Sequence, residues 1–196
     1  MDIVETIRSI QLFDLAVLIF LFAFFILGFI QGTIRRLLGL AIVLFAFFLG
    51  IYAREPLGEF LAQYWTAVPP EYSAMIAFGT VFLAAWIALT LIIQSFYRKT
   101  TLFERSTIVD EILGGIIGVI EGLVLVGILI VILDSYYMTP AATDPDGLGV
   151  LRAIFNLYDP TATAELYRNQ ILPTVFGILG PLVPSELAAH FVLPST

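Results

Sequence analysis

Four long apolar blocks dominate the chain, separated by short polar stretches. Residues 15–30 carry no charge and are mostly Leu, Ile and Phe. Residues 37–53 are of the same kind, 73–96 form the longest uncharged stretch, and 112–133 carry one charge, Glu121. A helix needs roughly 20 apolar residues to cross the hydrocarbon of a bilayer, within a range of about 17–25. The third and fourth blocks meet that length. The first does so with Leu12 and Phe13 included and Asp14 at the interface, and the second is marginal. The blocks show no period-2 alternation, which argues against a barrel. Lipid offers no partner for backbone N–H and C=O groups, so each crossing is expected to be a helix. The pattern predicts an all-α integral membrane protein with about four transmembrane helices. Residues 1–134 are expected to form the membrane domain and residues 135–196 an extracytoplasmic tail of short amphipathic helices.

The link between the first two blocks, residues 31–36, predicts a tight helical hairpin of six residues, or a first or second helix that is re-entrant or strongly tilted. The tail opens with a turn-rich linker at 139–147. A short helix is expected at 149–157. Asp159–Pro160 reads as an N-cap and first-turn proline opening a helix to about Gln170. Residues 171–184 are broken by Pro173, Gly177, Gly180, Pro181 and Pro184 and cannot make a straight fifth span. Ser185 is a candidate cap for a last turn at 186–191. So apolar a tail is expected to lie on the outer membrane surface or to pack on the helices.

Composition agrees with lipid as the solvent. Of 196 residues, 60% are hydrophobic and 13% charged, and the mean hydropathy is +1.00. A soluble domain carries about a quarter charged residues. A net charge of −7 with nine Lys and Arg argues against nucleic acid, which demands clustered cations. The absence of cysteine excludes disulfides, thiolate metal sites and a Cys nucleophile. The first residues hold Asp2 and Glu5 against Arg8 and lack a small-residue cleavage site, so the first block reads as a retained span. Loops one and three hold Arg35, Arg36, Arg98, Lys99 and Arg105, against Arg8 and Arg54 on the opposite side. The basic-residue rule therefore places those loops in the cytoplasm and both termini outside. Tyr52, Tyr64, Trp65, Tyr72, Tyr136 and Tyr137 flank the outer ends like an interfacial belt, and Trp86 lies mid-span as a packing residue.

The candidate chemistry is sparse. Gly114, Gly118 and Gly122 recur every fourth residue on one helix face, with Gly115 beside them, and Gly28 and Gly32 repeat the step in the first block. Small residues let helix backbones approach in lipid, so these are helix-packing positions within the chain or between copies of it. Glu121 is an intramembrane acid, a functional candidate by default. It is expected to be neutral and hydrogen-bonded to Gln94, Thr90 or Thr80, or else to line a polar path. Arg35, Arg36, Arg98 and Lys99 read as topology determinants in contact with lipid headgroups. Asp14 and Asp110 begin helices, where a carboxylate caps free N–H groups and meets the positive dipole end. His190, the only histidine, has no evident partner. No nucleophile signature, phosphate-cradling loop, metal set or cofactor motif occurs, and the chain reads as a non-enzyme.

Residues 28–40, GFIQGTIRRLLGL, resemble the first-hairpin motif of the colicin V production protein family, and Asp14 sits where that family tends to place an aspartate. Residues 110–125, DEILGGIIGVIEGLVL, resemble its second motif, an aspartate followed by glycines at four-residue steps. The segment LPTVFGILGPLVP is loosely similar to the proline-containing end of such proteins. The chain departs from the pattern at Glu121, where a basic or neutral residue would be expected. The resemblance implies a four-span protein of the bacterial cytoplasmic membrane, required for colicin V production or export and associated with envelope homeostasis. Related modules are fused to extracytoplasmic serine proteases, but the tail here is short and lacks a triad. The leading expectation is a non-enzymatic scaffold with lipids, further copies of itself, or export and envelope proteins as partners. The alternative is a small transporter or channel component with Glu121 in a polar path.

Overall fold

A computed structural model of the chain describes residues 11–65, 70–96, 107–137 and 149–179. Arg8, Arg98, Lys99, Arg105, His190, the linker at 139–147 and the turn at 186–191 lie outside the described residues, as does the side chain of Gln94. Four helices are long and apolar enough to cross a membrane. They are α1 (Leu12–Gln31), α2 (Thr33–Tyr64), α3 (Pro70–Phe96) and α4 (Thr107–Tyr137). The tail contributes α5 (Gly149–Tyr158), α6 (Ala162–Leu166), a π turn (Tyr167–Ile171) and α7 (Leu172–Leu179). The chain is all-helical among the described residues, as an apolar solvent demands.

Two boundaries differ from the sequence reading. The hairpin expected to take six residues takes one. Gly32 alone separates α1 from α2, with φ +79° and ψ 173°. That region is open essentially to glycine only, so one residue reverses the chain where others would need several. Arg35 and Arg36 therefore lie in the first turn of α2, not in a loop. The second span is also not marginal. At 32 residues α2 runs about 48 Å, far beyond the roughly 30 Å of hydrocarbon. It continues through Arg54, Glu55 and Pro56. Polar residues end an apolar run but need not end a helix once the chain has reached water or headgroups.

The chain forms two compact units, residues 20–132 and residues 1–19 with 133–196.

In the 20–132 unit, α2 and α3 pack antiparallel along their lengths. Gly50 faces the Phe78 ring and Gly58 the backbone of Ala74, with Phe47 and Phe78 rings 5.9 Å apart. The other contact is made by glycines. A Cβ on Gly28 would collide with the backbone of Gly114, and one on Gly118 with the carbonyl of Phe24. α1 and α4 thus meet antiparallel, backbone against backbone. On the opposite face of α4, Ile108, Ile112, Ile116 and Ile120 are exposed at four-residue steps. One helix therefore has a small-residue face for its neighbour and a branched apolar face for lipid.

The other unit is built around rings. Tyr137, Phe155 and Tyr158 form a chain of contacts at 4.9 and 5.3 Å, and Phe13 joins Tyr158 at 5.6 Å. Of the expected aromatic belt, Tyr52, Tyr64 and Trp65 are exposed, whereas Tyr72, Tyr136 and Tyr137 are buried core residues. The helix predicted from Asp159 is capped instead by Thr161, whose Oγ1 accepts from the Ala164 N–H at 3.2 Å. It also runs beyond Gln170 and past Pro173. The π turn accounts for that: the Leu172 N–H bonds the Tyr167 carbonyl, one residue further back than in an α-helix. The ladder is already opened where Pro173 offers no N–H and its ring would crowd a carbonyl.

Candidate functional site

The centre of the 20–132 unit is an ion pair inside the membrane-spanning region. Arg36, in the first turn of α2, donates from Nη1 to Oε2 of Glu121 on α4 at 2.6 Å. Both side chains are buried, 7% and 6% exposed. Glu121 lies eleven residues along α4 from Asp110, about 16 Å, a gap closed by the turn from Thr33 to Arg36 together with the side chains of both Arg36 and Glu121. Arg36 also lies over the Phe24 ring at 5.4 Å. The acid anticipated as neutral and bonded to Gln94, Thr90 or Thr80 is thus held by a residue expected to mark topology at the headgroups. Thr90 lines the same crevice, while Thr80 is exposed. Arg36, expected as a topology determinant, is buried against Glu121, and each ion offsets part of the other's cost of leaving water.

Gly39 makes room for the pair. A Cβ there would lie 2.9 Å from Oε1 of Glu121. Above the pair opens a crevice of about 210 Å³. Its polar lining is Gln31, Arg35, Arg36, Thr90 and Glu121, and Trp86 and Leu27 are among its apolar walls. All four spans contribute to it. Trp86, stacked on Phe82 at 6.1 Å, is therefore a wall of this crevice as well as a packing residue. Among the described residues, the buried Nε of Arg36 has no hydrogen-bond partner.

The two helix-start aspartates each serve a helix other than their own. Asp110 lies in the first turn of α4 and is 4% exposed. Its Oδ1 accepts from the backbone N–H of Thr33 at 3.4 Å, and its own carbonyl accepts from the Thr33 hydroxyl at 2.9 Å. It thus caps α2, whose N-cap Gly32 has no side chain to do so. Oδ2 sits where a Cβ on Gly32 would be, so Gly32 serves both the turn and the approach of the carboxylate. Asp14, in the first turn of α1, accepts from the Thr163 N–H at 3.0 Å and caps α6. Both were expected to cap their own helices. Spacing marks a carboxylate near a helix start, but only the tertiary fold decides whose N–H groups it meets.

The glycines singled out in sequence divide by what they touch. Gly28, Gly114 and Gly118 meet backbone, Gly32 meets Asp110, and Gly122 meets the flexible ends of Leu21 and the Phe24 ring.

A second polar cluster, not anticipated, lies in the other unit. Asp134, at the end of α4, is bound in bidentate fashion by Arg168, Nε to Oδ2 and Nη2 to Oδ1, each at 2.8 Å. The Tyr158 hydroxyl donates to Oδ1 at 2.7 Å. Arg168 also donates from Nη1 to Asp159 at 2.8 Å and lies over the rings of Phe155 and Tyr158. Burial, with the Asp134 charge and hydrogen bond added, pushes the Tyr158 hydroxyl far above the usual phenol range. Hydrogen bonding to Asp134 pushes Arg168 further up still. Tyr158 and Arg168 therefore keep their protons through the physiological range. Its only sequence signal was a carboxylate at the end of an apolar block.

The family model described as colicin V production protein matches residues 13–145. No curated protein and no solved structure matches the chain.

Proposed function

The chain belongs to the colicin V production protein family, and from that premise we propose that it is a non-enzymatic helix-bundle scaffold of the bacterial cytoplasmic membrane. It supports toxin production or export, or the upkeep of the envelope, with both termini extracytoplasmic. The observation that carries the reading is the backbone contact of α1 and α4 at Gly28, Gly114 and Gly118, beside the buried Arg36–Glu121 pair. Both features favour one fixed arrangement of spans, which suits a scaffold better than a device that must open and close. Lipids, further copies of the chain and export or envelope proteins are its partners in this reading. The test is complementation of a deletion strain, read as toxin release and envelope-stress resistance. Gly118→Leu should abolish complementation at normal membrane abundance of the protein. Full complementation by that variant would sink the scaffold reading. Crosslinking in native membranes would then name the partners.

The crevice of about 210 Å³ around a buried carboxylate favours a second reading, a small transporter or channel component with Glu121 in its path. Ion flux in proteoliposomes, abolished by Glu121→Ala, would establish it. Absence of flux with a folded, incorporated protein would remove it.

A further inference from the structure

We propose that the crevice over the Arg36–Glu121 pair is a binding site for the phosphate headgroup of an anionic membrane phospholipid. The proposal does not depend on the scaffold or transport reading. Its first support is the unsatisfied donor. Arg36 is 6% exposed and spends Nη1 on Glu121, yet its buried Nε has no acceptor among the described residues. A buried N–H without a partner leaves its desolvation cost unrecovered, and a guanidinium is shaped to bind a phosphate through more than one donor.

Charge points the same way. Among the described residues, the crevice lining includes the guanidinium groups of Arg35 and Arg36 and the carboxylate of Glu121, which Arg36 already holds. Both arginines stand in the first turn of α2, which contains no acid and where the helix dipole is itself positive. Asp110 also faces that turn, but it is committed to Thr33 and does not line the crevice. That positive field favours an anion over a cation.

Position selects a lipid over a free anion. α1 has 20 residues, about 30 Å, and ends at Gln31 on the crevice rim. That length matches the hydrocarbon thickness, so the turn at Gly32 lies at the level of the phosphates. Below the polar rim the walls are apolar, with Phe24, Leu27, Ile42 and Trp86, and these suit an acyl chain. The volume, about 210 Å³, is far more than a single water requires.

The test uses the full chain purified in detergent and examined by native mass spectrometry with phosphatidylglycerol, phosphatidylcholine of the same acyl chains, or inorganic phosphate. The wild type should retain one phosphatidylglycerol at least tenfold more readily than phosphatidylcholine. Thr90→Phe fills the crevice and leaves the ion pair intact. Arg36→Gln with Glu121→Gln removes the charges together. Both should reduce phosphatidylglycerol retention to the phosphatidylcholine level with the helical circular dichroism unchanged, and either variant suffices if the other fails to fold. Equal retention of the two lipids, or retention unaffected by the folded variants, would overturn the proposal. So would displacement of phosphatidylglycerol by millimolar phosphate, which would identify a free-anion site instead.

Discussion

Removing one half of the Arg36–Glu121 pair leaves the other charge buried, which is costlier than removing both. A single substitution at a buried pair is destabilising by about 3–5 kcal/mol, while replacing both partners is often close to neutral. Arg36→Gln and Glu121→Gln should therefore each lower thermal stability in detergent, and the double variant should recover most of the loss. Additive losses would show that the two side chains do not act as a pair. Gly39→Ala should weaken the same pair, because its Cβ would fall 2.9 Å from Oε1 of Glu121 and displace the carboxylate from Arg36. Its effect should shrink sharply in the Glu121→Ala background, and an undiminished effect would rule out that cause. Sequence spacing exposed Glu121 as an anomaly because one charge in an apolar run is conspicuous. It concealed Arg36, because a basic residue next to a loop already has an ordinary explanation. The identity of a partner 85 positions away is a tertiary fact.

At the level of elements, the glycines sort by what a methyl group would strike. Gly118 faces backbone of α1, which cannot yield without moving the helix. Gly118→Ala should cost about 1–3 kcal/mol, the usual range for overpacking. Gly122→Ala meets the end of the Leu21 side chain and the base of the Phe24 side chain, which need give only a few tenths of an ångström, and Gly79→Ala meets nothing within 4 Å. The order of destabilisation in thermal unfolding should be Gly118, then Gly122, then Gly79 at about zero. Equal effects at Gly118 and Gly79 would mean that α1 and α4 do not approach as described. The four-residue step of Gly114, Gly118 and Gly122 was legible because helical periodicity puts them on one face. The length of α2 was not, because Arg54 and Glu55 end the apolar pattern without ending the helix. Nor was the one-residue turn, since the positive φ of Gly32 is a backbone property with no pattern around it.

For the molecule as a whole, the count of spans followed from composition because lipid imposes length on every crossing helix. The tail's organisation did not, since its helices are short and its clamp joins residues distant in sequence. That clamp bears on topology independently of basic-residue counts. Four crossings return the chain to the side on which it began, so the start of α1 and the end of α4 share a face of the membrane. The tail is bonded to both, through Asp14 to Thr163 and through Asp134 to Arg168. Since the chain has no native cysteine, single cysteines placed at Gln11 and Asn169 should be labelled by an impermeant thiol reagent added outside intact cells. One placed at Thr101 should not be labelled. Labelling of Gln11 and Asn169 from opposite sides would contradict the four-span arrangement itself.

The stability of the tail unit should depend on pH on the alkaline side. Burial pushes Tyr167 up to about 12, and burial together with Asp134 raises Tyr158 beyond it, against about 10 for an unfolded tyrosine. A folded pKa above the unfolded one means that the native state holds its proton more tightly. The stabilisation is then complete below pH about 10, and it declines as pH rises from there through the folded values. Tyrosinate absorbance should show late-titrating groups in the native protein, and their number should fall when Tyr158→Phe or Tyr167→Phe is introduced. Arg168→Ala releases Asp134 and Asp159 together and should expose the tail to protease at neutral pH, with α1–α4 left intact. If all tyrosines titrated near 10 in the folded protein, the hydroxyl of Tyr158 would not be buried against Asp134, and Asp134 would lose one of the three bonds donated to it.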